Sequence, residues 1–508
     1  MSGIPVFDVA IIGYGPVGAT AAALLGQAGL SVYVCDRMPD VYAIPRAIAL
    51  DHEIMRVFQE IGIVDAVAPY VEPFTPSEYF GVDGQLIRRM TMVEPPYPQG
   101  YTPSMVFTQP PVEAAIRARV AQLQNVRVEL GVEVTGVVQS DDDVHLTVRS
   151  GQGAQSTVTA RWAIACDGGS SRTRGQLGIA LEDLGFDEPW LVVDVLVNGQ
   201  GLARLPKTSV QYCEPDRPCT YVIGPGNHRR WEISLHADES AQQAATPEGA
   251  WKLLSRWLTP QDGTLWRQTS YRFHALVAEQ WRAGRVFLAG DAAHMQPPFL
   301  GQGMCQGIRD VTNLCWKLKA VLQGTVTGAA AQTMLDSYTD ERKAHVRELT
   351  RRIKAVGAVI CERDVGKARA RDAQLLADCG GVVRDTPRQD ILPPLTGGLL
   401  SSGSSLGRGT LFPQPMLASG ELLDERFGRG WRLVSSGIAP AALPMDGITT
   451  IALSDPGVQE AHGVVQAWMQ KMACHAALVR PDHYVFGTAA TSEQLGPLVT
   501  ELRNALNS

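Results

Sequence analysis

The chain has no CxxC pair, no apolar run near the ~20 residues that a bilayer crossing needs, and no excess of positive charge. Each absence removes a class of function. The nine cysteines (Cys35, Cys166, Cys213, Cys219, Cys305, Cys315, Cys361, Cys379 and Cys474) show no zinc-type spacing. Their odd count fits reduced thiols in the cytoplasm better than a disulfide framework, and no metal site is expected. The first apolar segment, VFDVAIIG from Val6, is too short for a signal peptide and runs straight into a glycine turn. A net charge of −7 leaves no basic field for nucleic acid or an anionic membrane. The 50 glycines and 32 prolines follow no short period, which excludes collagen-like and low-complexity architecture. What remains at 508 residues is a soluble protein of about three domains whose natural partner is a small molecule.

What is present begins at Val6. A short apolar run to Ile12 ends in GYGPVG, followed by the small-residue stretch ATAAALLGQAG and a second run, SVYVCD. This reads as strand, tight turn, helix and strand. Gly13 permits the turn, Gly15 lets backbone approach a pyrophosphate, Gly18 lets helix and strand pack closely, and the helix N-terminus offers free amides to an anion. Asp36 follows at the end of the second strand, where an acid would grip the ribose of an adenosine. A plain packing turn can look the same, and the motif alone does not choose between FAD and NAD.

The choice is made further along. RVFLAG (Arg285 to Gly290) reads as a buried strand that delivers Asp291 into the loop DAAHMQPPFLGQG, where proline and glycine prevent regular structure. From Met304 the apolar positions Ile308, Val311, Cys315, Leu318 and Leu322 recur at helical spacing, which predicts one buried face of a helix about five turns long. Its N-terminus would sit beside Gly301, Gln302 and Gly303, where unpaired amides and the positive dipole end stabilise an anion. A reduced flavin is such an anion; an ordinary loop capping a helix is the bland alternative.

GYGPVG, CDGGSSRTR (Cys166 to Arg174) and GRVFLAGDAAHMQPPFLGQGMCQGIRDVTNLCWKL (Gly284 to Leu318) together resemble the three flavin-contact motifs of the class A, single-component flavoprotein aromatic hydroxylases. That family includes para-hydroxybenzoate hydroxylase and phenol hydroxylase. AEQWRAGRVFLAGDAAH and PRAIALDHEIMRVFQ resemble most the 3-(3-hydroxyphenyl)propionate hydroxylases. The resemblance implies FAD as cofactor, NADH or NADPH as co-substrate, and hydroxylation of a phenolic acid ortho to its hydroxyl by O₂ through a flavin hydroperoxide. It implies that Asp36 binds the adenosine ribose with Arg37 beside it, that Arg46 lies near the pyrophosphate, and that Gln109 contacts the cofactor. Asp167 and Gly168 would serve FAD and the nicotinamide, and Asp291 the ribityl chain. No second glycine motif is needed for the reductant, which visits the flavin transiently in this family.

The substrate base is open. Ile48 stands where phenol hydroxylase carries an acid, so that role does not transfer. Asp51 is one candidate, although it also reads as the N-cap of the helix that follows. His274 is another, with a structural histidine as the alternative, and Pro298 with Phe299 would wall the site. An acidic substrate would want a guanidinium; Arg89, Arg229, Arg230 and Arg272 are available. A flavin-dependent reductase or dehydrogenase, or a non-catalytic flavin-binding sensor, are the competing readings.

The fold expected is α/β: a Rossmann-like FAD-binding domain (1–74, 108–184 and 273–390), an inserted β-sheet substrate domain (75–107 and 185–272) and a C-terminal thioredoxin-like domain (400–508). A charged helical stretch from Tyr338 to Ala377 leads from the FAD-binding domain to the C-terminal domain. Without CxxC the tail would not be redox active; stabilisation or a homodimer contact is expected of it.

Overall fold

The computed structural model describes residues 6–437 and 447–507, so the outer limits of the first and last expected domains lie outside the described residues. The strand Val6–Ile12 stands at the centre of a parallel sheet ordered Val286–Leu288, Gln155–Ala165, Val6–Ile12, Val32–Asp36 and Val126–Leu130. A strand covered on both faces reads as a near-continuous apolar run, and Val9, Ala10 and Ile11 are wholly buried. One face is covered by the helices Pro16–Gln27 and Gly303–Leu322. The other is covered by the antiparallel strands Val132–Gln139 and Val144–Ser150, which pack Val134, Leu146 and Val148 onto Ile12 and Tyr33.

A second sheet of nine strands is mostly antiparallel and is built around two long partners, Leu181–Val197 and Gly263–Ala278. Both overrun the expected limits at 185 and 272, because their pairing continues past a register shift between Asp183 and Asp187. Ser77–Phe80 and Leu86–Thr91 join this sheet, whereas Ser104–Phe107 pairs instead with Ala49–Asp51 and Val71–Pro73 in a separate three-stranded sheet. His294–Met295 adds to the edge of Gly263–Ala278, so the loop carrying Asp291 is hydrogen-bonded directly to the second sheet.

The helical connection starts earlier than its charge pattern suggests. One helix runs Gly328–Ile360 and a second Val365–Ala377, and Asp364 caps the latter by accepting from the Lys367 amide at 2.7 Å. Beyond it lies a four-stranded sheet ordered Ile448–Ala452, Trp431–Ser435, Ala476–Val479 and Val485–Ala489, with helices Val464–Lys471 and Leu495–Asn507.

The helix Gly303–Leu322 departs from the expectation of one buried face. Ile308, Val311 and Leu318 are buried as predicted, but the polar face is buried too, against the C-terminal sheet and Gly328–Ile360. Arg309 pairs with Asp51 and Glu53 at 2.6 Å each, and Asn313 donates to Asp482 at 3.0 Å. Lys317 meets Glu341 at 3.0 Å. Arg480 joins the same Glu341 at 2.6 Å, and Arg56 reaches Asp424 at 2.5 Å. Buried pairs of this kind hold register more than they add stability, because desolvation offsets most of their attraction. No helix among the described residues is long and apolar enough to cross a membrane.

Candidate active site

A cavity of about 420 Å³ runs from the first glycine turn to the inner face of the nine-stranded sheet. Of the residues singled out in the sequence, it brings together Gly15, Gly18, Arg46, Gln109, Gly168, His274, Asp291, Pro298, Gly301 and Gly303. A second cavity, of about 440 Å³, lies between the helix Pro16–Gln27 and the C-terminal unit and carries none of them.

The glycine turn divides its labour. Gly13 takes φ +100°, where a side chain is strained, and a β-carbon there would overlap the Cys166 carbonyl. On Gly18 it would overlap the Gly13 carbonyl. Gly15 differs: its backbone suits any residue, and a β-carbon would find only the Arg46 guanidinium, 4.0 Å away. No protein atom requires glycine there, so the open space before its backbone fits a ligand that must come close. Arg46 stands over that space with no acidic partner among the described residues. Its backbone amide and that of Ala47 donate to the Gln109 carboxamide oxygen at 2.9 and 2.6 Å, so Gln109 shapes this wall from the start of the helix Gln109–Val120.

Asp291 follows the strand Val286–Leu288 in a tight turn. Its side chain is exposed to the cavity, crowded by protein atoms behind it, and no donor among the described residues holds it. Burial, the larger influence, raises its pKa against the opposing pull of His294 and Arg46. The turn itself is fixed from below. Asp310, on the helix Gly303–Leu322, accepts from the Gly290 amide at 3.0 Å, from His294 Nε2 at 2.7 Å and from Arg342 Nε at 2.9 Å. Burial would raise the Asp310 pKa, but His294 and Arg342 outweigh it and hold the group ionised below its ordinary value.

The remaining predicted residues lie off this cavity. Asp36 accepts from the Tyr14 amide at 2.6 Å and the Met38 amide at 2.8 Å, at the outer end of the glycine turn, and Arg37 is exposed beside it. Asp167 accepts from Ser171 Oγ at 2.5 Å and the Thr173 amide at 3.1 Å, which caps the short helix Arg172–Gln176. The Gln302 side chain turns inward to accept from Arg309 at 3.0 Å, leaving its backbone at the helix entry. Asp51 corrects the expectation of a base. It caps the helix His52–Ile61 through the Ile54 amide at 3.3 Å, and Arg309 donates to its other oxygen at 2.6 Å. Burial alone would raise its pKa, but Arg309 holds it below the ordinary range, so Asp51 is an ion-pair partner that does not face the cavity.

On the far wall, the second sheet contributes Glu232 and Arg267, which the sequence did not mark, beside Arg230, which it did. Glu232 lies in the strand His228–Ser234, opposite Val192 and Thr220 of the flanking strands. It is 6% exposed, lines the cavity and has no hydrogen-bond donor among the described residues; burial pushes its pKa up to about 7. Arg230 and Arg267, beside it, are committed elsewhere. Arg230 donates to Asp194 at 2.7 Å and to the Arg46 carbonyl at 2.8 Å, and Arg267 to the Pro45 carbonyl at 2.6 Å. They therefore tie the second sheet to the Arg46 wall.

Of the four candidate guanidinium groups, Arg89 pairs with Glu78 at 3.1 Å and Arg229 donates to the Gly226 carbonyl at 2.9 Å. Arg272 lines the cavity and pairs with Asp187 at 3.1 Å. Arg388, outside those four, also lines the cavity and has no acidic partner among the described residues. It donates to the Leu300 carbonyl at 2.6 Å and stacks 4.4 Å from the Phe74 ring centre, and burial lowers its pKa. His274 lines the cavity with its Nδ1 3.6 Å from Asp187. Phe299 packs edge-on against Phe186 at 5.6 Å and Trp190 at 5.7 Å, which makes the wall beside Pro298 apolar.

The sequence matches the family model described as FAD binding domain over residues 6–353. It is 36% identical to a protein of Rhodococcus jostii (strain RHA1) named "Probable NADH-specific resorcinol 4-hydroxylase", covering 97% of this chain and 94% of that protein. It is 31% identical to the 3-(3-hydroxy-phenyl)propionate/3-hydroxycinnamic acid hydroxylase of Burkholderia cenocepacia (strain HI2424), covering 94% and 93%. Among solved structures, the fold is similar to the flavin-dependent monooxygenase PieE in complex with FAD and substrate, with a TM-score of 0.82 at 20% identity over 99% of both chains.

Proposed function

The chain belongs to the FAD binding domain family and is an FAD-dependent aromatic monooxygenase; we propose that it hydroxylates a phenol carrying a short acidic side chain, ortho to the existing hydroxyl, with NADH as electron donor. The observation that carries this reading is the single cavity that joins the glycine turn and Asp291 to the inner face of the second sheet. One relative is named for NADH and for the 4-position of resorcinol, which adjoins a hydroxyl-bearing carbon; another is named for a phenolic acid.

The residues present fit FAD. Open space at Gly15 suits a pyrophosphate, and Arg46 supplies the compensating charge. The Asp291 carboxylate, without a protein donor, suits hydroxyl groups of a ribityl chain. Gly301 to Gly303 open a long helix whose first amides and dipole favour negative charge. Asp36 would take the adenosine ribose, Asp167 and Gly168 would border the cofactor, and Gln109 would act through the Arg46 backbone it clamps. Bound FAD supplies electron transfer from the nicotinamide and activation of O₂.

The protein's part is placement and exclusion of water. Pro298 and Phe299 present an apolar wall, so a reactive oxygen species formed there is kept from bulk solvent. Arg388 would pair with the carboxylate of the substrate, and His274 would stand at the cavity edge. The nine-stranded sheet acts as the inserted substrate-covering layer. We read the C-terminal unit as a thioredoxin-like module; its parallel strand pair extended by two antiparallel strands, with a closing helix, supports that reading. Having no CxxC, it serves to brace the helix Gly303–Leu322 through the buried pairs described above.

The test is anaerobic stopped-flow reduction of the FAD-loaded protein by NADH, with and without 3-(3-hydroxyphenyl)propionate or resorcinol. A true substrate should accelerate reduction at least tenfold, roughly 1.4 kcal/mol of barrier. Reduction indifferent to every phenol contradicts the reading.

A further inference from the structure

The phenolic proton needs an acceptor, because electron release from the ring oxygen drives attack on the activated oxygen. Asp51 is excluded by its pairing with Arg309. On the cavity wall, Glu232 is a carboxylate that no protein donor among the described residues occupies. It projects between Val192 and Thr220 on the inner face of the second sheet, and it shares the cavity with the apolar wall at Phe299 and with the helix entry at Gly303. The Thr220 hydroxyl, which could have satisfied it, donates to Gln211 at 2.6 Å instead.

We propose that Glu232 is the catalytic base that takes the phenolic proton of the substrate. The phenol O–H bond breaks, its electron pair stays on the phenolate oxygen, and the proton moves to a Glu232 carboxylate oxygen; it leaves again when the hydroxylated product is released as a phenol. This assignment rests on the phenol-hydroxylase reading and deepens it.

The charges around Glu232 suit the task. Arg230 on its own strand, Arg267 on Gly263–Ala278 and Asp194 on Leu181–Val197 face it, and Cys219 lies on the strand that pairs with its other side. Asp194, which pairs with Arg230 at 2.7 Å and hydrogen-bonds His228 at 2.7 Å, opposes ionisation of Glu232, while Arg230 and Arg267 favour the ionised form against the cost of burial. A carboxylic acid near pH 7 is matched to proton transfer at neutral pH, whereas an exposed glutamate would be too weak a base. The two guanidinium groups remain close when the phenolate forms and offset its charge.

The experiment compares wild type, Glu232→Gln and Glu232→Asp, each loaded with FAD, on resorcinol and 3-(3-hydroxyphenyl)propionate across pH 5 to 10. In wild type, product formation should rise with pH through about 7 as Glu232 loses its proton. Glu232→Gln should keep the flavin spectrum, lose roughly 10²-fold in kcat/KM at pH 7, and approach wild type only where the phenol ionises unaided, near pH 10. Glu232→Asp should recover part of the loss. If Glu232→Gln keeps the wild-type pH profile, Glu232 is not the base although the enzyme is a hydroxylase. Should Glu232→Gln fail to hold FAD, the wild-type profile decides alone, and one without an ascending limb near pH 7 overturns the assignment. If wild type yields no hydroxylated product from any phenol, the function reading fails first and takes this one with it.

Discussion

The His294 imidazole donates to the Asp310 carboxylate at 2.7 Å beneath the turn that presents Asp291, although the two residues lie on different elements. One Asp310 oxygen also receives the Gly290 amide at 3.0 Å, and the other receives Arg342 at 2.9 Å. The orientation of the Asp291 turn is thus set by a buried charge on the helix whose first turn borders the same cavity. The strand end, the acid and the helix are thereby tied together.

Replacing Asp310 by Asn keeps the shape and removes the charge that His294 and Arg342 share. Arg342 would be left buried without an acid, a change that costs about 3–5 kcal/mol. Asp310→Asn should lower the thermal midpoint and weaken FAD retention together, measured by differential scanning calorimetry and by flavin fluorescence on dilution.

Gly15 and Gly18 should separate binding from folding. Alanine at Gly15 meets no strained backbone and no close protein atom, so the FAD-free protein should melt as wild type while the FAD Kd rises at least about tenfold, or ~1.4 kcal/mol. Alanine at Gly18 overlaps the Gly13 carbonyl and should destabilise the FAD-free protein itself. Calorimetry of the FAD-free proteins, with FAD titration, reads both effects.

Arg388 should discriminate among phenols by charge. Arg388→Met should raise KM for 3-(3-hydroxyphenyl)propionate by roughly 10- to 100-fold, the loss of a charge-assisted hydrogen bond worth about 1.5–3 kcal/mol, and leave KM for resorcinol nearly unchanged. Equal changes for both substrates would place the carboxylate elsewhere.

Asp194 links acid stability to the second sheet. Burial would raise its pKa, but Arg230 and His228 hold it down to about 2, against an ordinary value of 3.8. A carboxylate depressed in the folded state contributes stability above its unfolded pKa and loses it as pH falls through the folded value. Urea midpoints of wild type and Asp194→Asn should therefore differ most at neutral pH and converge between about pH 4 and pH 2, the pH-dependent part being about 2 kcal/mol.

How far the site was legible in the sequence follows from how local each signal is. Gly13, Gly15 and Gly18 act within one turn, and Asp291 and Gly301 to Gly303 flank one loop, so local spacing marked them as candidates, while the role expected of Asp291 came from the resemblance to the flavoprotein hydroxylases. Glu232 and Arg230 alternate with Trp231 and Ile233, a pattern that also describes a sheet with one wet face. Only the folding of that face over the first domain turns it toward a cavity. Arg309, Asn313 and Lys317 similarly read as the solvent side of an amphipathic helix, and the C-terminal unit that buries them is remote in sequence. Asp51 shows the reverse: its capping role was visible locally, while the Arg309 that pairs with its carboxylate lies 258 positions away.

FAD-dependent insertion of oxygen into a phenol within this cavity is the reaction on which every proposed role depends. The most direct measurement is mass spectrometry of the product formed from 3-(3-hydroxyphenyl)propionate or resorcinol under ¹⁸O₂, with NADH oxidation followed in the same reaction. One ¹⁸O atom per product ring, one NADH consumed per hydroxylation, and no product without FAD are expected. NADH consumption that yields only hydrogen peroxide, or a protein that retains no flavin in excess FAD, would contradict that reaction.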